Sequence, residues 1–138
     1  MTAVALIGRI YELYAAGDID GTLAHCSDDF DYDWPFEPSL AWASGRCSGK
    51  DAFRARLAQL RDRYDYHLFR LVSLFGEGDR AAAQVEVELT HRGTGRRFRM
   101  VIGHFWKVRE GKATELIEYF DGALVDAVER QAGAVPAG

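Results

Sequence analysis

The nine residues from Met100 to Val108 read Met-Val-Ile-Gly-His-Phe-Trp-Lys-Val, and they predict a strand near the middle of a sheet. Successive side chains of a strand point to opposite faces. One face of this strand carries Val101, Gly103 and Phe105, and the other carries Met100, Ile102, His104 and Trp106. Neither face is polar, and a strand that is apolar on both faces is covered on both. We expect the protein's own core on the first face and a second subunit on the face of His104.

The length and composition predict one domain without nucleic-acid or membrane partners. A chain of 138 residues with 48% hydrophobic content can bury one core. We assign residues 1–131 to that domain and 132–138 to a flexible tail. The net charge of -4 argues against nucleic acid, which requires clustered basic residues. The one basic cluster, Arg96, Arg97 and Arg99, fits a solvated turn better than an anion site.

The cysteines and the N-terminus predict a cytoplasmic protein with reduced thiols. Cys26 and Cys47 are too few for a disulfide framework and lack the spacing of a zinc site. The chain shows neither a secretory signal nor an apolar run of about 18 residues. We therefore expect no membrane partner.

The first third of the chain predicts two helices and an aromatic strand. Apolar residues recur at helical spacing from Ala3 to Ala16, Gly17 ends that helix, and Asp18 is suited to cap a second one. Residues 29–34 then alternate Asp with Phe, Tyr and Trp, which predicts a strand. Its three aspartates could suggest calcium, but Trp34 and Leu40 stand where a calcium loop needs Gly and Glu. A solvated strand face is the better interpretation.

The remainder predicts a loop, a third helix and four strands. Residues 35–47 lack periodicity and could cover a site. Ser48 to Asp51 matches a capping box for a helix that includes Leu57. Strands are predicted at 66–75, 81–90, 97–108 and 114–120, with turns at 76–79, 92–95 and 109–111. Such short connections predict an antiparallel meander, followed by a short helix near Leu124.

Several motifs together resemble a known family. They are Tyr14-Ala-Ala-Gly17-Asp18-Ile19-Asp20-Gly21, Ser27-Asp28-Asp29 with the aromatic strand to Pro35, Gly45-Arg46-Cys-Ser-Gly49, Ile102-Gly-His104-Phe105 and Glu118-Tyr119-Phe120-Asp121. In this order they resemble the ketosteroid isomerase and SnoaL-like polyketide cyclase branch of the nuclear transport factor 2-like superfamily, over about residues 4–125. The resemblance implies an α+β fold: a cone-shaped half-barrel with three N-terminal helices packed on a curved, mainly antiparallel sheet. It also implies one apolar pocket and a homodimer formed through the sheet.

The residues at the positions that match the catalytic residues of the steroid isomerases argue against steroid isomerase activity. Carried over by position, the tyrosine that stabilises the oxyanion falls on Ile10, the aspartate base on Trp34, and the protonated aspartate on Gly103. These residues supply neither the two donors nor the base that the reaction needs. A shift of one position would place Asp33 near the base.

The same alignment predicts which residues line the pocket. The expected apolar lining comprises Ile10, Trp34, Leu57, Val101, Gly103, Phe105, Leu116 and Phe120. Glu118 is the one carboxylate expected on that wall, and burial would favour its protonated form, as a general acid or base near neutral pH requires. The alternative for Glu118 is a residue that reaches solvent or pairs with an arginine.

Two further residues are candidate helpers of Glu118. Tyr14 could place its hydroxyl in the pocket, or it could be a core tyrosine. Asp121 could lie at the pocket mouth, or it could cap the following segment. His104 is expected in the dimer interface, and a catalytic role for it needs the alignment to shift by one. His25, His67 and His91 form no ligand spacing, so we expect no metal and no cofactor.

These observations leave two functions open. The first is an isomerase, cyclase or dehydratase that transfers protons on a small apolar molecule without a cofactor. The second is a non-catalytic module that binds a small ligand or dimerises. Trp34 in the place of the base shortens the pocket, which favours a small or flat ligand over a steroid.

Overall fold

The computed structural model describes residues 1–35, Trp42 and 45–130. Helices and strands alternate early in the chain and are followed by a long antiparallel meander. In chain order the elements are α1 (Ala3–Ala15), α2 (Ile19–Ala24), β1 (Cys26–Trp34), β2 (Gly45–Ser48), α3 (Lys50–Arg63), β3 (Tyr64–Glu77), β4 (Arg80–His91), β5 (Arg97–Arg109), β6 (Lys112–Tyr119) and α4 (Gly122–Glu129).

The first two helices begin at the residues that the sequence indicates, whereas α2 ends at Ala24, before the predicted end at Cys26, because Cys26 begins β1. Ala5 N donates to the Thr2 hydroxyl at 3.1 Å and starts α1. Gly17 follows the helix with a φ of 78°, a conformation that glycine adopts without steric cost. Gly21 N donates to Asp18 Oδ1 at 2.8 Å, so the predicted cap of α2 is confirmed.

The start of α3 differs from the prediction. Gly49 occupies the N-cap position with a φ of 95°, and no side chain caps the helix. Ser48 instead belongs to β2, where it pairs with Asp31 of β1. The predicted capping box is therefore wrong, because sheet pairing holds Ser48 in an extended conformation. The predicted loop 35–47 also extends too far, since β2 begins at Gly45; residues 36–41, 43 and 44 lie outside the described part of the chain.

The strands form one six-stranded sheet in the order β2-β1-β6-β5-β4-β3. Strands β3 to β6 pair antiparallel with their neighbours in sequence, which confirms the predicted meander. Strand β1 pairs antiparallel with β2 and parallel with β6. The sheet is curved and unclosed, and the helices α1 to α3 pack on it, so the predicted α+β half-barrel is confirmed.

The register between β4 and β5 determines which face of β5 is inside. Val85 lies opposite Ile102, and Glu86 lies opposite Val101. Directly paired residues share a face of the sheet. Val85 and Ile102 are buried, whereas Val101 is 54% exposed. The inner face of β5 therefore carries the even-numbered residues.

The outer face of the sheet combines ion pairs with an apolar patch. Arg97 and Arg99 both pair with Glu88, and Arg96 donates to the Ala127 carbonyl at 2.6 Å, so this basic cluster is occupied within the chain. The large exposed apolar residues of the sheet are Val72, Phe75, Val101, Phe105 and Tyr119. We call these five residues the outer patch.

No helix among the described residues is both long and apolar enough to cross a membrane. The predicted tail, 132–138, lies outside the described part of the chain.

Candidate active site

A cavity lies between the helices and the inner face of the sheet. Its free volume is about 90 Å³, and most of its wall is apolar or aromatic. The side chains that carry its polar groups are Tyr11, Tyr14, Thr22, Tyr32, Trp34, Trp42, Tyr64, Tyr66, His104, Trp106 and Glu118. Glu118 is the one carboxylate among the described lining residues.

A buried histidine and a buried glutamate form the centre of this site. His104 on β5 and Glu118 on β6 lie directly opposite each other in the antiparallel pairing. Their side chains meet on the inner face, with His104 Nε2 at 2.7 Å from Glu118 Oε1. His104 is 6% exposed and Glu118 is 8% exposed. Sheet register thus fixes a hydrogen-bonded His–Glu pair inside an apolar cavity.

Three more side chains extend this pair into a chain of hydrogen bonds. The Tyr11 hydroxyl lies 2.6 Å from His104 Nδ1, and Trp106 Nε1 donates to the same hydroxyl at 2.9 Å. At the other end, the Tyr32 hydroxyl donates to Glu118 Oε1 at 2.9 Å. We call these five residues the buried relay. They come from α1, β1, β5 and β6, so the folded sheet and α1 are both needed to assemble it.

The directions of these bonds depend on the protonation states of Glu118 and His104. With Glu118 as a carboxylate, which can only accept, His104 Nε2 carries the proton that Glu118 receives. With the ring otherwise neutral, Nδ1 accepts from the Tyr11 hydroxyl, which itself accepts from Trp106. Both donors to Glu118 reach Oε1, and none of the described residues donates to Oε2. Oε2 is therefore the oxygen of this carboxylate that has no donor among the described residues.

The tyrosines of the relay stay protonated. Burial raises the pKa of Tyr11 far above its ordinary value, against the opposing effect of the Trp106 hydrogen bond. Burial, followed by the negative charge of Glu118, raises the pKa of Tyr32 well above its usual range. Both hydroxyls therefore act as hydrogen-bond donors at neutral pH.

A second polar group lies where α1 meets β3. The hydroxyls of Tyr14 and Tyr66 are 3.1 Å apart. The Arg61 guanidinium carbon lies 4.8 Å from the centre of the Tyr14 ring, and Arg61 Nη2 donates to the Tyr14 carbonyl at 3.3 Å. Burial raises the pKa of Tyr14 and of Tyr66. Tyr14 thus lines the cavity, but its hydroxyl is engaged with Tyr66.

An aromatic cluster forms another part of the wall. The rings of Trp34 and Trp42 pack edge to face with centroids 5.8 Å apart, and Phe120 packs in the same way on Trp34 at 5.0 Å. Glu129 of α4 accepts from Trp42 Nε1 at 3.0 Å and from the Tyr64 hydroxyl. These contacts connect Trp42 to the C-terminal helix.

Most of the predicted pocket residues line the cavity. They are Ile10, Tyr14, Trp34, Leu57, Leu116, Glu118 and Phe120. Whether they bind a ligand or take part in catalysis stays a prediction.

Three predicted pocket residues face away from the cavity. Val101 and Phe105 are 54% and 52% exposed, and Gly103 lies between them on the outer face of β5. His104 lies in the cavity, and so do Met100, Ile102 and Trp106, which were expected in the dimer interface. The predicted orientation of β5 is therefore wrong. The physical reason is its register with β4, which places Ile102 beside buried Val85.

Asp121 and Asp33 also lie away from the cavity wall. Asp121 is exposed, and its Oδ1 accepts from Leu124 N at 3.0 Å, which makes it the cap of α4. Of the two positions considered for Asp121, the structure therefore agrees with the cap of the following segment. Asp33 lies opposite Arg46 of β2 in the strand register, and its side chain is on the face of β1 opposite to Trp34. The described residues contain no group of histidines, cysteines and carboxylates arranged for a metal ion.

The sequence interpretation missed Tyr11 and Tyr32 as functional candidates, and it allowed His104 a catalytic role only if the alignment shifted by one position. Tyr32 was visible as an inward residue of β1, because it alternates with the aspartates of that strand. Tyr11 follows Ile10, the position to which the resemblance assigned the oxyanion tyrosine. The structure thus puts a tyrosine hydroxyl into the cavity one position further along α1.

Comparisons with known proteins agree with this architecture. A family profile for the SnoaL-like domain matches residues 7–116. A nuclear transport factor 2-like protein of Burkholderia thailandensis is 22% identical, with a TM-score of 0.82 over 94% of this chain and 98% of its own. A candidate polyketide cyclase of Pseudomonas putida is 27% identical, with a TM-score of 0.73 over 96% and 99% of the two chains.

A third structure is TerC co-crystallised with polyporic acid, at 23% identity and a TM-score of 0.78 over 91% and 96% of the two chains. No functionally curated protein gives a significant match. The profile match covers most of the chain, and the similar structures share its fold. The chain therefore belongs to the SnoaL-like family within the nuclear transport factor 2-like superfamily.

Proposed function

We propose that this protein is a cofactor-independent enzyme that transfers a proton within a small, largely apolar substrate, as an isomerase, cyclase or dehydratase does. The observation that carries the proposal is the position of Glu118. Its Oε1 is held by His104 and Tyr32 at 2.7 and 2.9 Å, while no described donor reaches Oε2. A general base needs a carboxylate oxygen that is oriented and still free to accept a proton.

Four of the five residues of the relay have a role in this proposal. Glu118 Oε2 is the base that accepts a proton from the substrate and later returns it. His104 and Tyr32 are positioning residues, because they hold the other oxygen of the same carboxylate. Tyr11 holds His104 in the tautomer that donates to Glu118, a second contact of the kind that fixes an imidazole in its working orientation.

The predicted helpers receive different roles. Tyr14 is engaged with Tyr66, so in this proposal it shapes the cavity wall. Asp121 caps α4 and takes no part in proton transfer. The steroid isomerase mechanism stays rejected, because Trp34 occupies the place of the base and Gly103 lies on the outer face. The described cavity wall offers one carboxylate where that mechanism needs two.

The size of the cavity limits the substrate. The cavity is small, with a free volume of about 90 Å³, and the large rings of Trp34 and Phe120 form part of its wall. The proposed substrate is therefore a one- or two-ring molecule. The similarity to a candidate polyketide cyclase supports proton-transfer chemistry on such a compound.

The experiment is hydrogen–deuterium exchange on cyclic ketones. Cyclohexanone, 1-indanone and 2-tetralone are incubated with the protein in deuterated buffer, and proton NMR follows the loss of signal from the carbons next to the carbonyl. Wild-type protein should accelerate the exchange. Glu118→Gln should reduce the acceleration by at least about 100-fold, as expected for loss of a general base.

The matched control is Glu88→Gln, which makes the same chemical change at a carboxylate on the outer face of the same sheet. This variant should exchange the ketones at the wild-type rate. Equal rates for Glu118→Gln and wild type, with both folded by circular dichroism, would contradict the proposal. A wild-type protein that binds a ketone without exchanging it would also contradict it.

A non-catalytic ligand-binding module is the second candidate. It is favoured by the hydrogen bonds within the relay, because Tyr11, Tyr32, His104 and Trp106 already have partners in the protein itself. A buried network whose hydrogen bonds are all made can serve only to stabilise the core, without taking part in a reaction. Stabilisation of the protein by a ketone without any exchange would favour this function.

We also propose that the protein forms a homodimer through the outer patch. Phe75, Ala82 and Phe105 lie side by side across three strands, and Phe105 packs on Tyr119 with centroids 5.7 Å apart. Exposed apolar clusters of this kind are typical of interaction sites. Sedimentation should give a dimer for wild type and a monomer for Phe105→Lys. A wild-type monomer at micromolar concentration would contradict the dimer without affecting the cavity.

A further inference from the structure

The last helix, α4, is held to the molecule differently from α1 and α3. Those two helices pack closely on strands of the sheet, whereas α4 has no comparable backbone packing on any described strand. Its buried residues are the small Gly122, Val125 and Val128, and Val125 forms part of the cavity wall. The helix α1 instead buries larger side chains, such as Ile10 and Tyr11. Moving α4 away from the cavity therefore exposes less apolar surface than moving α1 would.

Hydrogen bonds hold α4 to other parts of the described chain at its last turn. Thr94 Oγ1 donates to the Val128 carbonyl at 3.0 Å, and Arg96 Nη1 donates to the Ala127 carbonyl at 2.6 Å. Both donors belong to the turn between β4 and β5. At its other end α4 follows β6 closely in the chain, and Asp121 caps it. The helix is thus joined covalently at its start and by hydrogen bonds at its end.

Glu129, the last residue of α4, connects the helix to the cavity wall. Its Oε1 accepts from Trp42 Nε1 at 3.0 Å, and its Oε2 accepts from the Tyr64 hydroxyl. Trp42 and Tyr64 both line the cavity. Trp42 also packs edge to face on Trp34, and the Arg63 guanidinium carbon lies 4.2 Å from the centre of a Trp42 ring. We call Glu129, Trp42 and Tyr64 the latch.

We propose that α4 is a hinged gate of the cavity and that the latch holds this gate closed. The helix turns about its junction with β6, the hydrogen bonds of its last turn break together, and Val125 leaves the cavity wall. Water and ligands enter in the open state, and closure excludes bulk water again. This inference goes beyond the proposed function, because an enzyme and a ligand-binding module both need access to the cavity.

The test measures how readily the cavity opens to water. The full-length protein, uniformly labelled with ¹⁵N, is transferred to D₂O, and NMR follows the loss of the Trp106 indole N–H signal, which is assigned with Trp106→Phe. This N–H lines the cavity and donates to Tyr11, so it exchanges when the cavity opens. Glu129→Ala should accelerate its exchange at least about 10-fold, because the variant removes two hydrogen bonds to a charged acceptor. Glu129→Gln should have a smaller effect, since its amide oxygen can still accept one of them.

Two further variants separate the latch from the helix as a whole. Thr94 does not line the cavity, and Thr94→Val removes the bond to the Val128 carbonyl. It should accelerate Trp106 exchange about 3- to 10-fold, the usual effect of losing a neutral hydrogen bond. Asp126→Ala is the matched control, because it removes a carboxylate from the same helix at a surface pair with Arg130. It should change the exchange less than about 2-fold.

Urea distinguishes opening of the gate from unfolding of the whole protein. Exchange through a local opening depends weakly on urea, because little surface is exposed, whereas exchange through global unfolding depends on it strongly. In the wild type, at urea concentrations below the unfolding transition, Trp106 exchange should therefore respond less to urea than the exchange of backbone amides in the centre of β4 and β5. An equal urea dependence for Trp106 and these amides would overturn the gate.

The remaining outcomes test each part of the proposal. Wild-type exchange in Glu129→Ala, or equal acceleration by Asp126→Ala, would overturn the latch. Acceleration by Glu129→Ala with a wild-type rate in Thr94→Val would show that Trp42 opens without α4, which would overturn the hinged helix. These measurements involve no ketone and leave Glu118 unchanged, so the gate and the proposed function can fail independently.

Discussion

The two faces of β5 have almost the same apolar character and entirely different roles. The inner face presents Ile102, His104 and Trp106 to the cavity, and the outer face presents Val101 and Phe105 to the surroundings. The polar atoms of the inner face all have partners, through Tyr11 and Glu118. The outer face has its ion pairs at one end and the outer patch at the other.

This difference shows that hydrophobic content alone does not identify the core face of a central strand. A polar residue on an apolar face can indicate the interior when another element supplies a matching partner. His104 satisfies that condition because Glu118 lies opposite to it on β6. Val101 lies opposite Glu86, whose carboxylate pairs with Arg70 at the surface.

The largest expected effect concerns the inner face, where the buried tyrosines should make the protein less stable at alkaline pH. The five tyrosines of the cavity, Tyr11, Tyr14, Tyr32, Tyr64 and Tyr66, all have a raised pKa, and burial is the main cause. Above a pH of about 10 the unfolded chain releases these protons, while the folded protein keeps them. Stability therefore falls as the pH rises, with a slope that approaches about 1.4 kcal/mol per pH unit for each tyrosine whose pKa in the folded protein lies well above the pH.

Urea unfolding at intervals between pH 8 and 11 measures this loss. Tyr66→Phe serves as the control and should reduce the slope by about 1.4 kcal/mol per pH unit, since it removes one of the five groups. Below pH 9 the stability should be independent of these tyrosines. A free energy of unfolding that stays constant up to pH 11 would contradict the interpretation of the cavity as a buried tyrosine cluster.

The next test places the same charge on each face of β5. Ile102→Lys puts an ammonium group into the cavity wall beside Val85, and we expect a loss of at least about 4 kcal/mol in the free energy of unfolding. Val101→Lys puts it beside Glu86 on the exposed face and should change stability by less than about 1 kcal/mol. Thermal and urea unfolding measure both variants. Equal losses would show that the assigned faces are wrong.

The fold was predictable because its strands carry clear local signals. The aspartates of β1 alternate with Phe30, Tyr32 and Trp34, and β4 alternates Val and Leu with Gln and Glu. The glycine-containing turns set the order of the meander. These signals extend over only a few residues, so they can be recognised in the sequence without knowledge of the tertiary structure.

The orientation of β5 could also have been predicted from the turn before it. A turn at residues 92–95 leaves His91 opposite residue 96, and counting outward from there pairs Val85 with Ile102, as the structure does. The alternation of β4 then assigns Ile102 and His104 to the inner face. The alignment that the family resemblance implies places Gly103 in the pocket instead, one residue away from this register. An error of one residue in the register moves every side chain of a strand to the opposite face of the sheet.

The relay itself could not be predicted in full. Its assembly depends on the rotation of α1, which buries Ile7 and Tyr11 in addition to Leu6 and Ile10. The spacing of Leu6, Ile10, Leu13 and Tyr14 in the sequence instead favours a face that continues to Leu13 and Tyr14. A helix that contacts several strands is rotated by all of those contacts, and the spacing of its apolar residues defines the rotation only coarsely.

The smallest test removes one hydroxyl from each face of the sheet. Tyr32→Phe deletes a donor to Glu118 and leaves the ring packed against Phe53, so the buried carboxylate keeps only His104 as a partner. We expect a loss of about 1–2 kcal/mol in the free energy of unfolding, the usual value for a hydrogen bond to a charged group. Tyr119→Phe, at a 45% exposed position, should change the free energy by less than about 0.5 kcal/mol. If the two variants lose the same amount, the Tyr32 hydroxyl does not hold Glu118, and the orientation of the proposed base rests on His104 alone.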